Sequence, residues 1–414
     1  MAGTTGSFVE RSARGFDLFD VPSDYIDDPY PWLRLLRDDD PLHRNADGTV
    51  LLTRYEDVRT VWREPSTSVD KSSLFHARFG EGALLEHHTT GMLFRDPPDH
   101  DRLRQIVNPF FTRDSVERFR LHLEGLVDQL LDEVSERGRF DVVTDFAERI
   151  PASLITRILG VPLEDGPLLR RLGLRVLYPL NPRVEPTAVE AGHSAANEFV
   201  DYLTEQLAAV RRRGVDGPPG SVLEAVVAAE GDGALLSPAE GVHMCLLVFN
   251  GGHETTTNLI AVGTHALLEH RGEYARLAAM DDNTVNVAIE EIIRYVSPLQ
   301  LQGRRTTLDV DLSSGRLPAG TEFVLCQASA NRDERAFDDP DRLDLDRRPN
   351  AHVSFGMGVH TCLGNQLARL EARVVLPRLA RRLQHLEPDG APTFNSNVRF
   401  RGLQSLPVRI GDRA

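Results

Sequence analysis

Ser237-Pro238-Ala239-Glu240 opens the segment that most constrains this chain. A serine followed three residues later by glutamate makes a capping box, and proline suits the first helical position. An apolar helical pattern then runs to about Glu269. At 1.5 Å per residue this predicts a helix of roughly 45–50 Å, long enough to cross a domain, so the rest of the chain must pack around it. Its middle reads Gly251-Gly252-His253-Glu254-Thr255-Thr256-Thr257, which is poor helix material. The glycines cost about 1 kcal/mol each relative to alanine, and the β-branched threonines add to that. Glycines followed by hydroxyls that bond back to carbonyls also suit a kink. One reading is a close helix–helix crossing; the other is a helix opened beside a ligand, and the pattern leans to the second.

Around this helix the chain reads as one mostly helical unit. Residues 1–15 are expected to be a disordered lead and 16–414 a single domain. Leu121, Leu123, Leu126, Val127, Leu130, Leu131 and Val134 recur at helical spacing. Strand-like pieces are Val50–Thr53 and a patch at Leu308–Leu312 and Glu322–Ala328, with a turn at Pro318-Ala319-Gly320. A last helix is expected over Leu363–Leu383, interrupted late by Pro377. The fold class is therefore mainly α with a small β-rich subdomain. The net charge of −15 argues against a nucleic-acid surface or a polybasic membrane patch. The N-terminus lacks an apolar signal region, and no uncharged apolar run approaches the ~20 residues of a membrane span. Cys245, Cys326 and Cys362 are widely spaced and odd in number, so no disulfide framework is expected and a cytoplasmic setting is.

The chemistry concentrates in Phe355-Gly356-Met357-Gly358-Val359-His360-Thr361-Cys362-Leu363-Gly364. A cysteine just before a helix has backbone N–H groups and the positive helix end aimed at its sulfur, which favours thiolate. Glycines at alternate positions let the backbone approach a flat ligand. A lone cysteine is otherwise a small buried hydrophobe.

This decapeptide resembles the cysteine-ligand loop of the cytochromes P-450, and further resemblances extend over roughly 20–410. The resemblance implies a haem b (iron protoporphyrin IX) held between the long oxygen-binding helix and the cysteine-ligand helix. Cys362 would be the axial metal ligand, with Phe355, Gly356, Gly251 and Gly252 against the cofactor. His100 and Arg104, one helical turn apart, together with Arg304 and His360, resemble a clamp for the anionic propionates; Arg305 is the neighbouring alternative to Arg304. Glu291 and Arg294 resemble the family's Glu-x-x-Arg scaffold, with Arg342 completing it and Leu343 standing where a Phe is usual. Glu254 and Thr255 resemble the acid–alcohol pair of oxygen activation: Thr255 holds dioxygen and a water, and Glu254 helps relay protons. Thiolate ligation favours O–O cleavage.

A zinc hydrolase is argued against, because His253-Glu254 lacks a second histidine at position 257. Peroxide-driven relatives replace the acid–alcohol pair, and a non-catalytic haem sensor would need neither residue; both remain as alternatives to a monooxygenase. The chain is expected to be a monomer with no flavin or iron–sulfur module, so electrons would come from a ferredoxin and its reductase. Arg369 and Arg373, with Arg102 and Arg113, are docking candidates. The pocket for a small, largely apolar substrate is placed by resemblance at Met92, Leu174, Leu247, Asn250, Leu299, Arg399 and Phe400, and the loop before His100 adds Phe75, Phe79, Leu84, Leu85 and His88. Arg399 facing that pocket would call for an acidic substrate; the plainer reading pairs it with a local acid or points it to solvent.

Overall fold

The computed structural model describes residues 12–230, 235–281 and 284–411. The long helix runs from Pro238 to Glu269 and carries the capping box, with both reciprocal hydrogen bonds present. It is helical throughout, Gly251-Gly252 included, and the Thr255 hydroxyl donates to the Gly251 carbonyl at 3.3 Å. Its two glycines divide the two readings between them. A Cβ on Gly252 would lie 2.5 Å from Ile155, on the helix Arg149–Leu159, so a helix crossing requires this glycine. A Cβ on Gly251 would meet nothing within 4 Å.

Further along, Gly263 lets the same helix approach Ile292 and Leu376. Those residues belong to the helices Val285–Val296 and Asn365–Arg382. The second of these, the cysteine-side helix, begins three residues after Cys362 and keeps Pro377 inside it, so the expected interruption does not occur. The helix Arg120–Arg137 buries Leu123, Val127, Leu130, Leu131 and Val134, while Leu121 is 81% exposed and drops out of the expected apolar face.

The β-rich part holds a five-stranded sheet in the order Leu42–Arg44, Val50–Leu52, Glu322–Cys326, Leu301–Thr306, Thr67–Ser68. Val50–Leu52 lies parallel to Glu322–Cys326, and its three residues are all buried. The two halves of the expected strand patch part company. Val310–Leu312 forms a hairpin with Gly315–Leu317, whereas Glu322–Cys326 joins the larger sheet and Gln327–Ala330 turns helical. Of the lead expected to be disordered, residues 1–11 lie outside the described residues. Ala13–Gly15 form a short 3-10 turn, with Ala13 buried beside Phe16 and Trp32 in a satellite core. No helix among the described residues is long and apolar enough to cross a membrane.

Candidate active site

Between the long helix and the cysteine-side helix lies a cavity whose walls carry Gly251, Gly252 and Thr255 on one side. Phe355, Cys362, Gly364 and Ala368 form the other. The Cys362 side chain opens into this space. Its backbone N–H donates to the Phe355 carbonyl at 2.8 Å, which ties the loop into a closed turn. Burial pushes the Cys362 thiol up; the Gly364 N–H and the charges of Arg104 and Arg369 oppose this without cancelling it. The lowered thiol pKa expected from the helix start is therefore not reached by the protein alone, and a metal ion is the group that would complete ionisation.

The loop glycines owe their identity to Trp62. Gly356 and Gly358 have φ of 64° and 72°, and their Cβ atoms would lie 3.0 Å from the Trp62 ring and 2.7 Å from its carbonyl. Gly356 is thus absent from the cavity wall, contrary to its expected place against a flat ligand.

At the cavity edge two histidines and two arginines meet. The His100 and His360 rings are 4.2 Å apart. Arg104 donates to the carbonyls of Val359 at 3.1 Å and Thr361 at 2.7 Å. Arg304 is buried over the Trp62 ring at 4.9 Å, while its neighbour Arg305 is exposed, so Arg304 is the one of the two turned inward. Burial, then the charges of His100, Arg304 and Arg104, hold His360 down at about 3, and both His360 Nε2 and Arg304 Nε lack partners. Two arginines with histidine and guanidinium nitrogens left unpartnered are complementary to an anion. A flat apolar ring carrying carboxylate arms fits these walls and this edge, so the residues present fit a haem.

Behind the cavity, Glu291 and Arg294 are both 0% exposed. Arg294 donates to Glu291 at 2.7 and 2.8 Å and to the carbonyls of Asn331 and Pro340. The third member is Arg347, whose Nε lies 3.1 Å from both Glu291 oxygens. Arg342 was the expected partner, but its side chain is exposed and only its backbone carbonyl joins the network. The two arginines are five residues apart in one loop, and loop curvature decided which turned inward.

Residues 42–406 match the Cytochrome P450 family. The chain belongs to the cytochrome P450 family. It is 34% identical over 404 residues to the cytochrome P450 monooxygenase PikC of Streptomyces venezuelae, covering 95% of this chain and 94% of that one. It is 31% identical over 397 residues to the polyketide biosynthesis cytochrome P450 PksS of Bacillus subtilis, at 92% and 96% coverage. The crystal structure of CalO2 superposes with a TM-score of 0.88 at 32% identity, covering 96% of this chain and 98% of that one. This P450 is accordingly a haem-binding monooxygenase, and its fold is that of the family.

Other expected site residues divide. Met92, Leu247, Asn250, Leu299, Arg399 and Phe400 line the cavity, as does His88. Leu174 does not; Leu177 and Leu180, one and two turns later, take its place. Phe75, Phe79 and Leu84 are core residues behind the wall. Thr255 faces the cavity, but Glu254 lies on the flank of the helix, because successive helical residues do not share a face. There Asn258 donates to Glu254 at 3.2 Å, and burial raises the Glu254 pKa against the pull of Arg170 and Asn258.

Sequence reasoning missed Glu371. It lies in the cavity wall on the cysteine-side helix, 0% exposed, with neither oxygen in a well-formed hydrogen bond. Burial raises its pKa far above the usual carboxylate range, opposed by Thr256. The signal was available: an acid four residues after Leu367, on the buried stripe of that helix.

Proposed function

We propose that this P450 oxidises a small, largely apolar secondary metabolite with electrons from a separate ferredoxin and reductase. The observation that carries the reading is the thiol of Cys362 opening into the same cavity as Thr255. Haem b, when bound, would supply the redox chemistry of dioxygen activation, and Cys362 would hold its iron.

The chain's own residues then have separable tasks. His100, Arg104, Arg304 and His360 would hold the propionate carboxylates. The Phe355 ring and the Gly364 backbone shape the thiol side. Thr255 shares its hydroxyl between the Gly251 carbonyl and the cavity, where it orders dioxygen and water. Glu254 and Glu371, both held toward the protonated form by burial, store protons on the flank and on the wall of that space. Met92, Leu177, Leu247 and Leu299 exclude water and fit apolar substrate.

The donor surface needs revision from the expected patch. Arg369 pairs with Glu290 at 2.7 Å and stacks on Phe355, Arg373 pairs with Glu117 at 3.4 Å, and Arg102 pairs with Glu240 at 2.7 Å. Arg113 stays exposed at the start of the helix Arg113–Glu117, and it is the candidate we retain for contact with an acidic ferredoxin.

The test is turnover of the purified holoenzyme under isotopically labelled dioxygen with a ferredoxin, its reductase and a polyketide-type substrate library. Label in an oxidised product, dependent on the donor proteins, supports the reading. Turnover with hydrogen peroxide alone moves the chain to the peroxide-driven class, and haem binding without turnover moves it to the sensors.

A further inference from the structure

Arg399 settles neither into solvent nor against an acid. Its side chain lines the cavity, and no ion pair with a carboxylate forms among the described residues. Nε is buried without a partner, and Nη1 only reaches the Leu180 carbonyl at 3.5 Å. Burial, then the charge of Arg78, lowers it to about 10, so even here the guanidinium stays charged at neutral pH. Its backbone is held rather than free: the N–H donates to Asn397 Oδ1 at 3.0 Å, and the carbonyl accepts from the Gln300 N–H at 2.9 Å. The charge is therefore placed by the fold and left uncompensated.

Its surroundings deepen the deficit of negative charge. Arg78 donates to the carbonyls of Asn181 and Pro182, and Lys71 is paired with Glu322, so each of these cations already has acceptors. His88, in the cavity wall, has Nε2 without a partner and is pushed down to about 3 by burial and then by Arg399. Asn250, also in the wall and 2% exposed, has neither amide atom bonded.

We infer that the substrate of this P450 carries a single carboxylate, received by the free edge of Arg399 with His88 as a neighbouring polar contact, while the rest of the molecule is apolar. The inference rests on the monooxygenase reading and names its substrate class. One anionic group is indicated because Arg78 and Lys71 already have acceptors whereas Arg399 has only its long contact to the Leu180 carbonyl, and a guanidinium edge matches a carboxylate bidentately. Met92, Leu177, Leu180, Leu247, Leu299 and Phe400, also in the wall, are apolar. Arg399 also acts on a different set of groups from the thiol-side cations. The charges acting on Cys362 are Arg104 and Arg369, and those on His360 are His100, Arg304 and Arg104, whereas Arg399 acts on His88 and Lys71.

The experiment titrates the ferric holoenzyme with a matched series of linear and aromatic carboxylic acids, their methyl esters and the corresponding primary alcohols, reading the spin-state absorbance shift. Acids are expected to bind at least about tenfold tighter than their own esters, the ratio one charge-assisted contact supplies. Arg399→Gln and Arg399→Met should bring that ratio to within about twofold with haem content unchanged, and Arg399→Lys should keep part of it because it retains charge without the fork. Esters or alcohols binding as well as acids, no acid shifting the spectrum, or an acid preference that survives Arg399→Gln each overturns the inference. Loss of haem from Arg399→Gln also overturns it, by assigning Arg399 to the cofactor cradle. A wild-type protein lacking the thiolate-type carbon monoxide band would instead overturn the monooxygenase reading beneath it.

Discussion

The two sides of the cavity treat polar groups in opposite ways. Behind the cysteine loop, Glu291 accepts from Arg294, Arg347, Asn350 and the Asp344 N–H, so its carboxylate is saturated although it is 0% exposed. Facing the cavity itself, Asn250, His88 and Arg399, with Glu371 from the cysteine-side helix, are enclosed with atoms left unpartnered. A folded chain normally satisfies its buried polar groups, because each one left unmade costs about 1–3 kcal/mol. The saturated side is scaffold. The unsaturated side is shaped for something that arrives later.

Several substitutions would break or sharpen this contrast. Cys362→Ala should remove the thiolate-type carbon monoxide difference band entirely, while the protein still folds. Retention of that band would place the ligand elsewhere.

Glu291→Ala should be the most damaging change on the scaffold side. It leaves two buried guanidiniums facing each other without their anion, a loss of about 3–5 kcal/mol that thermal denaturation would read. Arg347→Ala should cost somewhat less, about 2–4 kcal/mol, because Arg294 still holds Glu291.

On the cavity side the sign reverses. Glu371→Gln removes an acid whose folded pKa is raised, so the wild-type carboxyl ionises more readily unfolded than folded. Wild-type stability therefore falls as pH rises above the ordinary glutamate value of 4.5, and the variant escapes that fall. Melting temperatures should be similar at low pH and favour Glu371→Gln increasingly toward neutral pH. A variant less stable than wild type at neutral pH would show that Glu371 is structural. Arg342→Ala should change stability by less than about 0.5 kcal/mol, since only its backbone joins the Glu291 network. A loss as large as that of Arg347→Ala would restore Arg342 to the scaffold.

Much of this protein was legible in order along the chain. The capping box at Ser237 and the apolar run behind it define the central helix from Pro238 to Glu269, since both signals are local. The decapeptide ending at Gly364 points to Cys362 for the same reason: the cysteine, its glycines and the following helix are neighbours in sequence. Even His100 and Arg104 could be paired, because four residues bring them onto one helix face.

Tertiary structure decided what depends on distant partners. Whether a glycine serves a ligand or a neighbour was settled by Ile155 against Gly252 and by Trp62 against Gly356 and Gly358. Which loop arginine completes the scaffold was settled by the path of residues 338–347 around Arg294. Which acids and cations are left without partners could be seen only once every potential acceptor had been placed. Helix capping and periodicity act over a few residues and leave local traces. Desolvation and charge pairing depend on everything that packs around a group, and that sum exists only in the folded chain.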